Sequence, residues 1–371
     1  MEIRKSCKNI GRSRRPRTLK SLWVTTTVSA GVITTLLLSS NRAISAPDPE
    51  APPTASTKPK VWEEWRRSMA RTPKPKKGCY EAAYPNTEWQ EVQCTTAPQR
   101  PYLPARGSRP YTVGNGTDLS AQVLGSISLA EGSFERVTDV TSESGGGVAN
   151  AFSLQLNTNF FTTSSCNNIP GCEGWEQFLF ANSTTASAFI QYWLLNYGST
   201  CPAGWIQNNG SCYKNSVNAV SVPIQTIATL GNLSLTGNAS SGGTDEVILS
   251  IGSNLYSVAG NNSVAGLATE WQAAEFNVFG DGGLSQAVFN TGSTIVVRTS
   301  VDSGTTIAPT CENTGTTGET NNLTLVTTPK PCCPIGGASP AIVFTESNAA
   351  GAKSTCAQQW LSPIIDFLLN R

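Results

Sequence analysis

Two short aromatic-rich segments hold the residues best suited to chemistry. In residues 188–197, strand alternation puts Phe189, Gln191, Trp193 and Leu195 on one face, so Gln191 is a lone amide among apolar neighbours. In residues 268–279, Glu270, Gln272, Ala274, Phe276 and Val278 share one face, and Trp271, Ala273, Glu275 and Phe279 share the other. A glutamate can act as general base on a water and then as acid to a leaving amine. A glutamine amide can hold a developing oxyanion, an effect worth about 3 kcal/mol of barrier in comparable sites. Glu270, Glu275 and Gln191 are the groups in these segments with that chemistry. Trp193, Tyr192, Trp271 and Glu275 are candidate groove residues, and Glu275 is the alternative carboxylate because it precedes Phe276. The structural alternatives are cross-strand hydrogen bonding for Gln191, a solvated strand end for Glu270, and core packing for the aromatics.

Carboxylates and amides are the groups to consider because the 371 residues include no histidine. Ser-His-Asp and Cys-His nucleophile systems in their usual form are excluded, as are the usual imidazole-based zinc sites. The sequence implies no cofactor and no metal.

Charge is unevenly distributed. Through Lys77 the chain carries 17 of its 26 Lys and Arg and 5 of its 25 Asp and Glu, which leaves the remainder strongly acidic. An acidic body repels phosphate backbones, so nucleic acid is not an expected partner.

Of the 11 cysteines, Cys7 lies in the basic leader. The other ten, an even number in an exported body, read as up to five disulfides. Close spacing suggests Cys79–Cys94, Cys166–Cys172 and Cys201–Cys212, with Cys332 and Cys333 divided between Cys311 and Cys356.

Residues 1–46 have the order of an export signal: a basic start, an apolar run over 22–38, and small residues around Ser45 and Ala46. An uncleaved anchor is the alternative, and this segment is the expected route of any membrane contact. Export places the protein outside the cytoplasm, secreted or in the cell envelope. Residues 47–78 read as a Pro-rich, basic linker or propeptide-like segment, with a short amphipathic helix over 61–70 carrying Trp62 and Trp65. Residues 79–112 read as a disulfide-closed extension, 113–350 as the main domain, and 351–371 as a C-terminal amphipathic helix.

The elements that must position the chemistry are strands. Short β-branched and aromatic runs fall at 121–129, 133–140, 151–157, 177–180, 188–197, 217–227, 232–235, 246–251, 253–258, 271–279, 285–289, 294–301, 323–327 and 341–346. Gly, Asn and Ser clusters separate them, a pattern that reads as an all-β sandwich or barrel.

The order of these segments resembles the eqolisin-type glutamic peptidases. Thr269-Glu270-Trp271, Glu275-Phe276, the stretch from Phe289 to Val297, and Phe189-Ile190-Gln191 carry the resemblance, with Gly132 to Val137 similar to an early strand of the family. The family's W-x-G-I-D-G segment has no counterpart. The resemblance implies an antiparallel two-sheet, concanavalin-like or jelly-roll sandwich, a secreted acid-acting endopeptidase, a peptide or protein substrate, and a Glu270/Gln191 dyad with Glu270 as the base and Gln191 as the oxyanion donor. The competing readings are a glycan-binding module, a structural or adhesive surface protein, and a two-carboxylate glycoside hydrolase.

Overall fold

The computed structural model describes residues 60–105 and 119–356. The leader, residues 47–59 of the linker, and most of the expected C-terminal helix lie outside the described residues. Two large antiparallel sheets dominate. In spatial order the first runs Gln90–Val92, Cys79–Ala83, Asn254–Ala259, Asp245–Ile251, Leu233–Ala239, Leu129–Thr138, Thr294–Asp302, Ala341–Ser347 and Thr324–Leu325, with Cys332–Ile335 also paired to Ala341–Ser347. The second runs Ile206–Asn208, Ser211–Asn215, Ala186–Leu195, Glu173–Asn182, Phe152–Thr158, Ala273–Gly280, Ser120–Gln122 and Thr310–Glu312. A branch, Ala219–Ser221 followed by Cys94–Thr95, extends it. A small third sheet closes one end through Glu143–Gly145 and Gln286–Phe289. Of the sandwich or barrel that the strand pattern allowed, an antiparallel two-sheet sandwich is the observed architecture.

The core lies between the sheets. Leu154, Leu156, Phe178, Phe180, Ile190, Phe276 and Val278 project into it from the second sheet and meet Phe134, Leu235, Val247 and Val297 from the first. Two glycines of the first sheet make room for rings of the second: a Cβ on Gly132 would sit 1.8 Å from Phe276, and one on Gly237 would sit 2.4 Å from Phe178. The large side chains thus interlock across the sandwich.

Period-2 alternation sends the intervening residues of the second sheet to its opposite face. In most antiparallel sheets such a face is wet. Here it is covered, and the cover begins with the N-terminal extension. The helix Lys60–Arg71 presents Trp62, Trp65 and Met69 at helical spacing and seats them on Ala82, Ile248 and Leu255 on the outside of the first sheet. Arg66, buried beneath it, bonds Glu63, Glu131 and Ser234. The chain then adds Cys79–Ala83 beside Asn254–Ala259, and Cys94–Thr95 beside Ala219–Ser221. Having joined one sheet and then the other, it crosses the outer face of the second sheet as residues 97–105. We call this crossing segment the strap.

All five disulfides follow the sequence expectation, and the ambiguous four resolve as Cys311–Cys332 and Cys333–Cys356. Several expected strands are shorter than their runs: 121–129 yields only Ser120–Gln122 before a new strand starts at Leu129, and 323–327 only Thr324–Leu325. Of 217–227 only Ala219–Ser221 pairs, since Pro223 has no N–H to donate and a 3-10 turn, Ile227–Asn232, follows. Of 271–279 the strand begins at Ala273.

Candidate functional site

Strand register builds the site. Gln191 lies opposite Gln177, Gln177 opposite Asn157, and Asn157 opposite Glu275. Four polar side chains therefore form one row across four adjacent strands, on the face away from the core. Gln177 Nε2 donates to Asn157 Oδ1 at 2.9 Å and to Gln155 Oε1 at 3.2 Å. Asn157 Nδ2 donates to Glu275 Oε2 at 3.3 Å. This row is the floor of a trough.

The roof is supplied by the chain itself. Gln191, fully buried, uses its whole hydrogen-bonding capacity on protein groups. Its Nε2 donates to the Arg100 carbonyl at 3.1 Å and to Asn215 Oδ1 at 2.7 Å. Its Oε1 accepts from the Tyr102 backbone N–H at 2.8 Å and from Trp193 Nε1 at 3.0 Å. One carboxamide thus grips both polar groups of an extended backbone. Glu275 Oε2 accepts from the backbone N–H groups of Thr316 at 2.7 Å and Thr317 at 3.3 Å, and from the Thr316 hydroxyl at 3.2 Å. The loop carrying Thr316 and Thr317 bonds the strap in turn: Gly318 N–H donates to the Leu103 carbonyl at 2.7 Å, and Ala105 N–H to the Thr316 carbonyl at 2.9 Å.

Glu319 completes the enclosure. It accepts the Leu103 N–H at 3.3 Å, the Leu284 N–H at 3.0 Å and the Ser285 N–H at 2.7 Å. Burial pushes its carboxyl up to about 7, against the opposing pull of those backbone donors. Asp281 accepts from the Tyr102 hydroxyl at 2.6 Å and from Arg100 Nη1 at 2.6 Å. Burial raises Asp281, with Tyr102 and Arg100 pulling the other way. Burial first, and then the Asp281 charge, push Glu143 up to about 8.

The sequence-derived candidates divide between three places. Gln191 and Glu275 fall on the row, but two strands lie between theirs. Three strand spacings put their backbones ~14 Å apart. Glu270 is half-buried and lies outside the strand, at the end of the 3-10 turn Leu267–Thr269, where its carbonyl accepts from Asn159. The same two strands separate it from Gln191. Trp193 is on the trough side, wholly buried against Trp175 and Tyr213. Tyr192 and Trp271 lie on the other side of the sheet, in the inter-sheet core, where Trp271 packs 5.5 Å from Phe178. They line no groove in this structure. Trp271 reverses its expected facing because its N–H still bonds back to Leu267, so the strand alternation has not yet begun.

Sequence reading missed Arg100, Tyr102, Asp281, Glu319, Gln177 and Asn157. Residues 97–105 have no periodicity and three prolines, and Glu319 sits in a Thr- and Asn-rich loop, so neither carries a local signal. Among the described residues no group of three or more His, Cys, Asp or Glu is placed to hold a metal ion.

No family model matches the chain, and no curated protein matches it. Solved structures show a weak likeness. One is scytalido-glutamic peptidase with a transition-state analogue inhibitor, 13% identical, with 62% of this chain and 98% of that chain covered and a TM-score of 0.28. The same peptidase with a peptide-based transition-state analogue gives 12% identity, the same coverage and a TM-score of 0.29. SCP-B, a member of the eqolisin family in complex with the tripeptide Ala-Ile-His, gives 11% identity, coverage of 62% and 97%, and a TM-score of 0.27. Likeness at this level assigns no chemistry to this chain.

Proposed function

We propose that the protein is an exported, disulfide-stapled β-sandwich whose trough holds an extended polypeptide, and that its closed form does not hydrolyse peptide bonds. One observation carries this reading: the Gln191 carboxamide is saturated, two of its four bonds going to the backbone of the chain's own strap. A substrate carbonyl would have to displace the strap to reach it. Glu275, bound by two backbone amides, is an anchor for the Thr316–Thr317 loop rather than a base facing water. Five disulfides support export to an oxidising compartment.

The test is proteolysis of denatured protein substrates at pH 3–5 by the full chain. The expected result is no pepstatin-resistant cleavage above background, with no change in Glu270→Gln. Cleavage that disappears in Glu270→Gln would overturn the reading in favour of a glutamic endopeptidase using Glu270 and Gln191.

A second reading, a latent acid peptidase, is favoured by the covalent topology. Within residues 60–105 the disulfide is Cys79–Cys94, internal to that segment, and the other four join residues after 119. No disulfide ties the strap to the body, so a cut between 105 and 119 would let it leave.

A further inference from the structure

We propose that the trough over Gln191 and Glu319 is an exchangeable binding site for an extended peptide bearing an aromatic residue followed by an aliphatic one, with residues 97–105 as its resident occupant. The inference rests on the reading of the trough as a polypeptide holder and adds what it selects and that the occupant can be replaced.

Recognition begins at the backbone. The Arg100 carbonyl and Tyr102 N–H bond Gln191, the Leu103 N–H bonds Glu319, and the Leu103 carbonyl bonds the Gly318 N–H. The Pro101 carbonyl accepts from the Gly283 N–H at 3.1 Å. Both carbonyls and N–H groups of the strap backbone are matched, independently of its side chains. Two side-chain pockets add selectivity. Tyr102 enters a pocket of Leu179, Ala181 and Phe189, its ring 6.0 Å from that of Phe189, with Asp281 accepting from its hydroxyl at the far end. Leu103 enters a second pocket formed by Trp175, Trp193, Leu195 and Tyr213. An aromatic ring with a polar tip, placed in an apolar slot closed by one acceptor, is a strong anchor for a peptide.

Exchange follows from how the strap is held. Apart from a bridge at Pro104 opposite Thr317, residues 97–105 form no regular structure, and their prolines limit the backbone donors they can offer. The strap is linked to the body by no disulfide, and its one ion pair, Arg100 with Asp281, has the arginine side chain 43% exposed. Opening it breaks these hydrogen bonds and uncovers Tyr102 and Leu103, but it unpairs no long strand.

The experiment measures anisotropy of the labelled peptide Ala-Pro-Gln-Arg-Pro-Tyr-Leu-Pro-Ala titrated with the full chain and with full-chain Tyr102→Ala. The expected result is saturable binding to the variant at least tenfold tighter than to the unaltered chain, whose own tyrosine fills the slot. A peptide with alanine for tyrosine should bind at least tenfold more weakly, and Gln191→Ala in the Tyr102→Ala background should remove binding. Equal binding to both chains, or binding indifferent to the tyrosine, overturns the proposal. Hydrogen exchange on the unaltered chain gives an answer that does not depend on the variant folding. The Tyr102 and Leu103 amides should exchange at least a hundredfold faster than those of Phe178 and Ile190, and equal rates would show the strap to be permanent core. The readouts are binding and opening, so a protein that cleaves nothing can still satisfy them. Cleavage of the bound peptide would defeat the closed-form reading and leave the binding site standing.

Discussion

Replacing Gln191 with leucine separates a structural clamp from a catalytic amide. Leucine has similar volume and keeps the site filled, so the cavity contribution is small. What is lost is four hydrogen bonds. The bonds to Arg100 and Asn215 are only partly buried, and water can replace them. The Tyr102 N–H and Trp193 Nε1–H are buried and would be left without an acceptor. Each buried orphan donor costs roughly 1–3 kcal/mol, which puts the substitution at about 2–6 kcal/mol. Against a typical total stability of about 5–15 kcal/mol, that is a large displacement of a urea midpoint. The assay is equilibrium urea unfolding of full-length chains with disulfides intact. A loss below about 1 kcal/mol would refute the reasoning, because it would mean that Gln191 does not hold the strap. An oxyanion donor in an open groove would show that small loss, together with loss of activity.

Glu275→Ala should cost about 2–6 kcal/mol in urea unfolding, since two buried backbone N–H groups lose their acceptor, whereas Glu270→Ala should stay within about 0.5 kcal/mol. Gly132→Ala should cost about 3 kcal/mol or prevent folding, read by thermal unfolding, because its Cβ would overlap the Phe276 ring. Stability should fall as pH rises. Glu319, Glu143 and Asp245 are held at about 7, about 8 and about 6 in the folded chain, all above the usual carboxylate range. A raised folded value means the folded state keeps protons that the unfolded state releases. The contribution is therefore complete below about pH 4 and is lost progressively through pH 8. Glu319 alone links to about 3 kcal/mol. Urea midpoints measured from pH 4 to pH 9 should decline, and a rise across that interval would contradict the assignment.

How much of this was legible in the sequence depended on the range of the interaction. The alternation that set Phe189, Gln191, Trp193 and Leu195 on one face is local, and the strand Ala186–Leu195 keeps it. Cysteine spacing gave three local disulfides and narrowed the other two. The helix over 61–70 was legible from two tryptophans at i and i+3, and it forms as Lys60–Arg71. The facing of Trp271 was not legible, because one turn of 3-10 helix before Ala273 shifts the phase without leaving a strong residue signature. The roof of the trough was invisible for a different reason. Gln191 meets Tyr102 across 89 residues of sequence, and Glu319 meets Leu103 across 216. No periodicity reports a contact of that range, and a lone glutamine on an aromatic face looks the same whether it awaits a substrate or holds the chain's own backbone.

The strap encloses this amide. Thiol-labelling kinetics of Gln191→Cys, in a full chain with Cys7→Ser, test it most directly. Labelling under native conditions should be slowed by at least a hundredfold relative to the denatured chain, because the side chain at this position lies beneath Arg100 and Tyr102. Labelling of the folded protein at the rate of a freely exposed thiol would contradict it.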